Sequence, residues 1–275
     1  MRSALIVNGA LQHAEQAEPL LPWWSFTKTV LAAAALSLVR DGLVGLDDQM
    51  AEGPFSLRQL LRHEAGLADY GELAEYHAAV SSQQKPWSAD EMLQRLDATR
   101  LRYQAGAGWR YSNVGYLYVA RLIERLSGLA LEQALTERVL VPLGITRVHQ
   151  ARTPADWAAL QLGSSYDPAW VYHGLLVGPL TQTALLLDRL LGSDFLPPAL
   201  LQAMQDRRVL GGPIAGRPWT SPGYGLGLMQ GEVSGGLFLS GHTGGGPGSV
   251  VAVYRSAQGR DSATCAVYQA GGSEG

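Results

Sequence analysis

The longest apolar run in the chain, VLAAAALSLV from Val30 to Val39, is broken only by Ser37. A helix that is apolar on every side belongs between the layers of a fold, because no face of it suits water. The run is also well short of the ~20 residues that span a bilayer. The pattern predicts a helix from Ser25 to about Arg40, ended by Asp41-Gly42, with Gly42 in the left-handed closing position. Upstream, two short β-like pieces, SALIV and ALQHAEQ, flank Asn8-Gly9. That dipeptide favours the positive φ angles of a tight hairpin turn.

The middle of the chain reads as helical. Ser56-Leu57-Arg58-Gln59 and Ser88-Ala89-Asp90-Glu91 carry the capping-box pattern, in which each end side chain satisfies an orphan backbone amide. A further helix is expected from about Asn113 to Gly128, with others near 130–140, 181–191 and 197–208. After Gly211-Gly212 the pattern changes to GYGLGLMQG, GGLFLSGHTG, GSVVAVYR and SATCAVYQ, strand-like runs between glycine-rich turns. The economical topology pairs the first hairpin with these last strands. The expected fold is α/β (α+β): an antiparallel sheet flanked by helices, with an inserted, mostly helical domain. Residues 1–49 and 211–275 form the discontinuous sheet domain, residues 50–210 form the helical one, and a cleft lies between them.

Composition narrows the class. Of 275 residues 47 % are hydrophobic and 16 % charged, and the formal charge is −3, with no basic run to track phosphates, so nucleic acid is not an expected partner. The single cysteine, Cys265, excludes an internal disulfide, and its alternating surroundings read it as a small core residue. The N-terminal MRSALIV holds too few apolar residues for the core of a signal peptide. A soluble, cytoplasmic protein without a membrane span is expected, periplasmic only if a leader has been removed. No cofactor and no metal are expected. His63-Glu64 lacks the second histidine of a zinc helix, and His13, His77, His149 and His173 show no ligand spacing. The aromatics Tyr70, Tyr76, Trp87 and Trp109 read as packing. A G-x-S-x-G pattern at Gly271–Gly275 is the end of the chain, where no helix follows as a nucleophile elbow requires.

Candidate chemistry begins with Ser25 and Lys28, which share a face at the first turn of the apolar helix. Alone, such a serine more often caps its helix and such a lysine more often reaches for water. Two other stretches alter the balance. In Tyr111-Ser112-Asn113 an extended link would offer a phenol and an amide to one side. In His242-Thr243-Gly244, strand alternation points His242 and Gly244 the same way, among glycines that let a ligand approach the backbone.

The order S-x-x-K, Y-x-N, H-T-G resembles the signature of the serine β-lactamase and penicillin-binding protein superfamily, in the branch holding class C β-lactamases, DD-peptidases and family VIII esterases. SLRQLLRHEAGLADY, YSNVGYLYVARLIERLSG, VPLGI and YGLGL are similar to that branch's surrounding text, so the resemblance runs from about Trp24 to Arg255. It implies Ser25 as nucleophile, Lys28 and Tyr111 sharing the proton transfers, and Asn113 orienting the substrate. It further implies that His242, Thr243 and Gly244 bind substrate, and that the backbone amides of Ser25 and Gly245 form the oxyanion hole. A lysine of ordinary pKa, ~10.4, is protonated and no base; lowering it by about three units costs ~4 kcal/mol, which burial and a helix N-terminus can supply. Alternatively Tyr111 is the base and Lys28 stays charged beside it.

Two departures stand out. His242 replaces the lysine of β-lactamases, removing a fixed positive charge at neutral pH. Gln104-Ala105-Gly106 replaces the usual proline-glycine before the tyrosine motif. The expected partner is therefore a small-molecule ester or amide. Short acyl esters come first, D-amino-acid peptides or β-lactams next, and the rival is a penicillin-binding module that acylates once without turnover.

Overall fold

The computed structural model describes residues 1–14 and 16–271, so Gly272–Gly275, most of the G-x-S-x-G pattern, lie outside the described residues. Alternation at the two ends of the chain resolves into one eight-stranded antiparallel sheet. The strands are β1 (Arg2–Val7), β2 (Ala10–His13), β6 (Arg208–Val209), β7 (Trp219–Tyr224), β8 (Met229–Val233), β9 (Phe238–Gly246), β10 (Ser249–Gln258) and β11 (Asp261–Ala270), in the order β2-β1-β11-β10-β9-β8-β7-β6. The first hairpin turns at Asn8 and Gly9, with φ of 49° and 77°, and β1 pairs with β11 as expected, Arg2 opposite Tyr268 and Val7 opposite Ala263.

Between the ends lie the helices α1 (Thr27–Arg40), α2 (Leu57–Leu61), α3 (Ala74–Ser81), α4 (Ala89–Arg95), α5 (Asn113–Ser127), α6 (Leu131–Leu135), α7 (Pro154–Ala159), α8 (Leu180–Gly192) and α9 (Pro198–Gln205). The capping box at Ser56 and Gln59 is complete, and Ser88 accepts from the Glu91 amide. α1 is buried from Thr27 through Leu38 and packs against α5, which is why its sequence has no polar stripe. The segment expected as a helix near 130–140 begins as α6 and widens into a π turn over Thr136–Leu140. Among the described residues no helix is long and apolar enough to cross a membrane.

Three features depart from the sequence reading. A small second sheet joins β3 (Leu21–Pro22), β5 (Leu175–Gly178) and β4 (His149–Ala151) in the order β3-β5-β4; strands of two to four residues leave no readable alternation. α8, assigned by position to the helical insert, lies against β11, β1 and β10 of the large sheet. It is anchored there by Asp188, which accepts from Thr264 Oγ1 at 2.8 Å and from Arg255 Nε at 3.3 Å. Cys265 is exposed, not a core residue. On β11 it is Thr264, Ala266 and Tyr268 that point inward, and alternation alone does not say which phase faces the core.

Candidate active site

From Leu21 to Leu38 every residue is buried except Ser25. A single half-buried hydroxyl in the most apolar stretch of the chain demands a local cause, and the backbone supplies one. Trp24 and Ser25 lie in a 3₁₀ turn, Trp24–Phe26, that leads into α1. Trp24 has φ of 43°, a left-handed conformation that costs a bulky residue on the order of 1–3 kcal/mol. Packing holds it there. The Trp24 ring lies 5.6 Å from Trp157 and 5.7 Å from Tyr166 between centroids, and its Nε1 donates to Ser249 Oγ at 2.9 Å. The cap positions fall on Trp23 and Phe26, so Ser25 is not the helix cap.

Its hydroxyl meets Lys28 instead. Nζ lies 3.1 Å from Ser25 Oγ and 2.6 Å from Asn113 Oδ1, and the lysine is fully buried. Asn113 is held from behind: both its Nδ2 and its backbone N–H donate to Asp69, Nδ2 at 3.0 and 3.1 Å and N at 3.2 Å. This settles which end of the amide faces Lys28, because only the carbonyl end can accept from the amine. Ser112, extended at φ −143° and ψ 117°, caps α5 and lets Tyr111 and Asn113 reach the same amine. The Tyr111 ring centroid lies 5.1 Å from Nζ and that of Tyr116 5.7 Å, within the range of cation–π attraction.

The third motif lies on β9. A Cβ added to Gly244 would stand 2.4 Å from the Ser25 nitrogen and 2.8 Å from Trp24 Cβ, so only glycine lets the strand pass this close to Ser25. β8 pairs with β9 as far as Gly241, and from His242 to Gly246 that edge has no β8 partner. Gly245 follows on this edge. His242 and Gly244 share one face of the strand, the face toward Ser25, as alternation predicts. Thr243 takes the other face, half-buried, with its hydroxyl 2.8 Å from Tyr254 Oη.

His242 does not offer the open, charge-bearing imidazole that a substrate carboxylate would need. It is fully buried; Nδ1–H donates to the Thr243 carbonyl at 2.7 Å and Nε2 accepts from Tyr224 Oη at 2.9 Å. Burial first, then the charge of Lys28, push its pKa down to about 3. The ring is neutral and packs beside Tyr111, centroids 6.3 Å apart. Asp69 is shifted the other way, its pKa raised by burial against the opposing hydrogen bonds from Asn113 and the charge of Lys28.

Residues outside the motifs complete the site. Asp69 orients Asn113. His63, φ 60°, accepts the Ser112 N–H on Nδ1 at 3.1 Å and lies 4.3 Å from the Tyr111 ring. His173, set aside for want of ligand spacing, places Nε2 3.0 Å from Lys28 Nζ. Burial, then Lys28, hold both His63 and His173 well below the ordinary histidine pKa. Trp109 packs on His63 and Tyr224, as expected of a packing residue.

One family model and three known proteins show what this chain is similar to. Residues 10–268 match the family model described as Beta-lactamase. A D-aminopeptidase of Brucella anthropi is 28 % identical over 230 residues, 80 % of this chain and 43 % of that protein. A lovastatin esterase of Penicillium rubens is 27 % identical over 163 residues, 48 % of this chain and 40 % of the esterase. The chain thus spans under half the length of these two relatives. A D-stereospecific amidohydrolase from Streptomyces superimposes with a TM-score of 0.77 over 96 % of this chain and 87 % of its own, at 21 % identity, a likeness of fold.

Proposed function

The chain belongs to the beta-lactamase family, and from that membership we propose that it is a serine hydrolase working through an acyl-enzyme on a small ester or amide. The observation that carries the reading is the Ser25 Oγ to Lys28 Nζ distance of 3.1 Å, made by the one half-buried residue of the stretch and a fully buried amine. Ser25 Oγ attacks the carbonyl carbon as its proton passes to Lys28, with Tyr111 beside the amine to relay that proton to the leaving group. The carbonyl oxygen, now negative, is met by the backbone amides of Ser25 and Gly245, each such donor contributing ~3 kcal/mol to the transition state. The C–O or C–N bond then breaks, the alcohol or amine departs with the proton, and water repeats the sequence in reverse on the acyl-serine.

The neutral, enclosed His242 bears on the substrate. With no fixed cation at that motif, uncharged esters and amides are favoured over β-lactams, whose carboxylate seeks one. Similarity to a D-aminopeptidase along 80 % of the chain supports D-amino-acid amides as the second class after short acyl esters. The test is a panel of p-nitrophenyl esters, D-amino-acid amides and a chromogenic β-lactam, with intact-mass detection of an adduct. Ser25→Ala is expected to lower turnover by at least about 10³-fold and abolish the adduct; unchanged turnover would sink the assignment. One equivalent of product followed by arrest would favour a module that acylates once.

A further inference from the structure

Lys28 and Lys85 are the only lysines in the chain, and Lys28 meets a histidine that belongs to none of the motifs. His173 lies just ahead of β5, the middle strand of the small sheet. Its Nε2 is 3.0 Å from Nζ. Asn113 Oδ1, whose orientation Asp69 dictates, accepts from the same amine at 2.6 Å. A neutral amine has two N–H bonds and a lone pair, and an ammonium has three N–H bonds. Two acceptors that stay in place through both states leave one variable position, on the side where Ser25 Oγ stands at 3.1 Å.

We propose that His173 is a positioning residue, a neutral imidazole whose unprotonated Nε2 accepts an N–H of Lys28 and so aims the exchangeable proton of that amine at Ser25. When Ser25 Oγ bonds to the carbonyl carbon, its proton moves to Nζ, and the same proton leaves with the alcohol or amine; His173 neither gains nor loses one. A carboxylate in this place would lock the lysine as an ammonium, and a hydrocarbon would leave an N–H without an acceptor. An imidazole without charge does neither, at the cost of its own Nδ1–H, which is buried without a hydrogen-bond partner among the described residues. Full burial keeps it uncharged, with the charge of Lys28 acting in the same direction. The titratable groups that face the pair are Tyr111, Tyr116, His63, His242 and, behind Asn113, Asp69. They are common to every variant below.

The catalytic meaning rests on the hydrolase reading, but the pairing is measurable without turnover. Protein labelled with ¹³C at lysine Cε gives two signals, assigned by Lys85→Arg, and the Lys28 signal is titrated. His173→Phe is expected to lower its midpoint by about one pH unit, since losing an acceptor costs the ammonium more than the amine. His173→Gln, a neutral acceptor, keeps the midpoint near the parent, and His173→Glu raises it by about one unit or more. The rising limb of kcat/KM on a neutral ester follows the same shifts, and the Phe variant loses roughly 10–100-fold in kcat with KM little changed. If the Phe variant does not fold, the Gln and Glu variants carry the test through their charge difference. An equal Lys28 midpoint in Gln and Glu variants, or a ¹⁵N spectrum of His173 with Nε2 protonated, overturns the proposal. Midpoint shifts as described in a protein without Ser25-dependent turnover support the pairing and sink the hydrolase reading.

Discussion

Asn113 Oδ1 accepts from the Lys28 amine while Asp69 holds its other end, which makes Asp69 the residue that orients the amide. Asp69→Asn keeps the size but offers an amide where two acceptor oxygens stood, so Asn113 can rotate and present Nδ2 to Lys28. The expected result is a loss of about 10–100-fold in kcat on an ester substrate with KM within roughly twofold, the mark of lost alignment more than lost binding. An unchanged kcat would show that Asn113 orients itself. Asp69 lies 44 residues before Asn113. No spacing rule links an aspartate in a loop to the first turn of a helix that far along, so it escapes a reading of motifs.

At the scale of elements, one junction bears on the site and another on stability. Where β9 crosses the 3₁₀ turn before α1, Gly244→Ala would set a methyl 2.4 Å from the Ser25 nitrogen. The strand and the turn must separate. Kinetics on an ester substrate should show a fall in kcat/KM of at least about 100-fold, because Ser25, the proposed nucleophile, moves relative to the β9 edge, and a urea melt should show a loss of about 1–3 kcal/mol from overpacking. Full activity in this variant would mean that β9 does not set the position of Ser25. The second junction is α8 on the large sheet. Asp188→Ala leaves Thr264 and Arg255 without their acceptor, and Asp188, Thr264 and Arg255 are all largely enclosed. Loss of a partly buried pair of this kind costs about 3 kcal/mol, read as a shift of the urea midpoint with kcat on an ester substrate nearly unchanged, since α8 supplies none of the proposed site residues.

The whole molecule encloses three neutral histidines, His63, His173 and His242, around one buried lysine. Their folded pKa values lie below the unfolded value, so between the two the unfolded chain binds protons that the folded one refuses, and stability falls as pH drops. For His242 the window runs from ~6.5, the unfolded value, down to about 3. Each such histidine contributes up to ~1.4 kcal/mol of lost stability per pH unit inside its window. Asp69 opposes this weakly, since its raised pKa relieves a burial cost as pH falls. Urea melts from pH 7.5 to 4.5 should show a steep loss of stability beginning near neutrality. A His242→Gln variant should lose less stability over that range; equal slopes would contradict a neutral, enclosed His242.

What the sequence determined by itself is whatever local order expresses. The hairpin at Asn8-Gly9, the buried α1 and the terminal sheet follow from turn chemistry and apolar period. Ser25 and Lys28 meet because one helical turn brings them together, and Tyr111 and Asn113 reach the same amine because a single extended residue separates them. Tertiary structure alone decided the rest. It chose which face of β11 turns inward and hence that Cys265 is exposed, moved α8 onto the sheet, and assembled β3, β5 and β4 from pieces too short to carry a pattern. It brought His173 to Lys28 across 145 residues and enclosed His242 between Thr243 and Tyr224. Contacts of that kind are products of packing between layers, and a histidine reads the same in sequence whether it will face water or a buried amine.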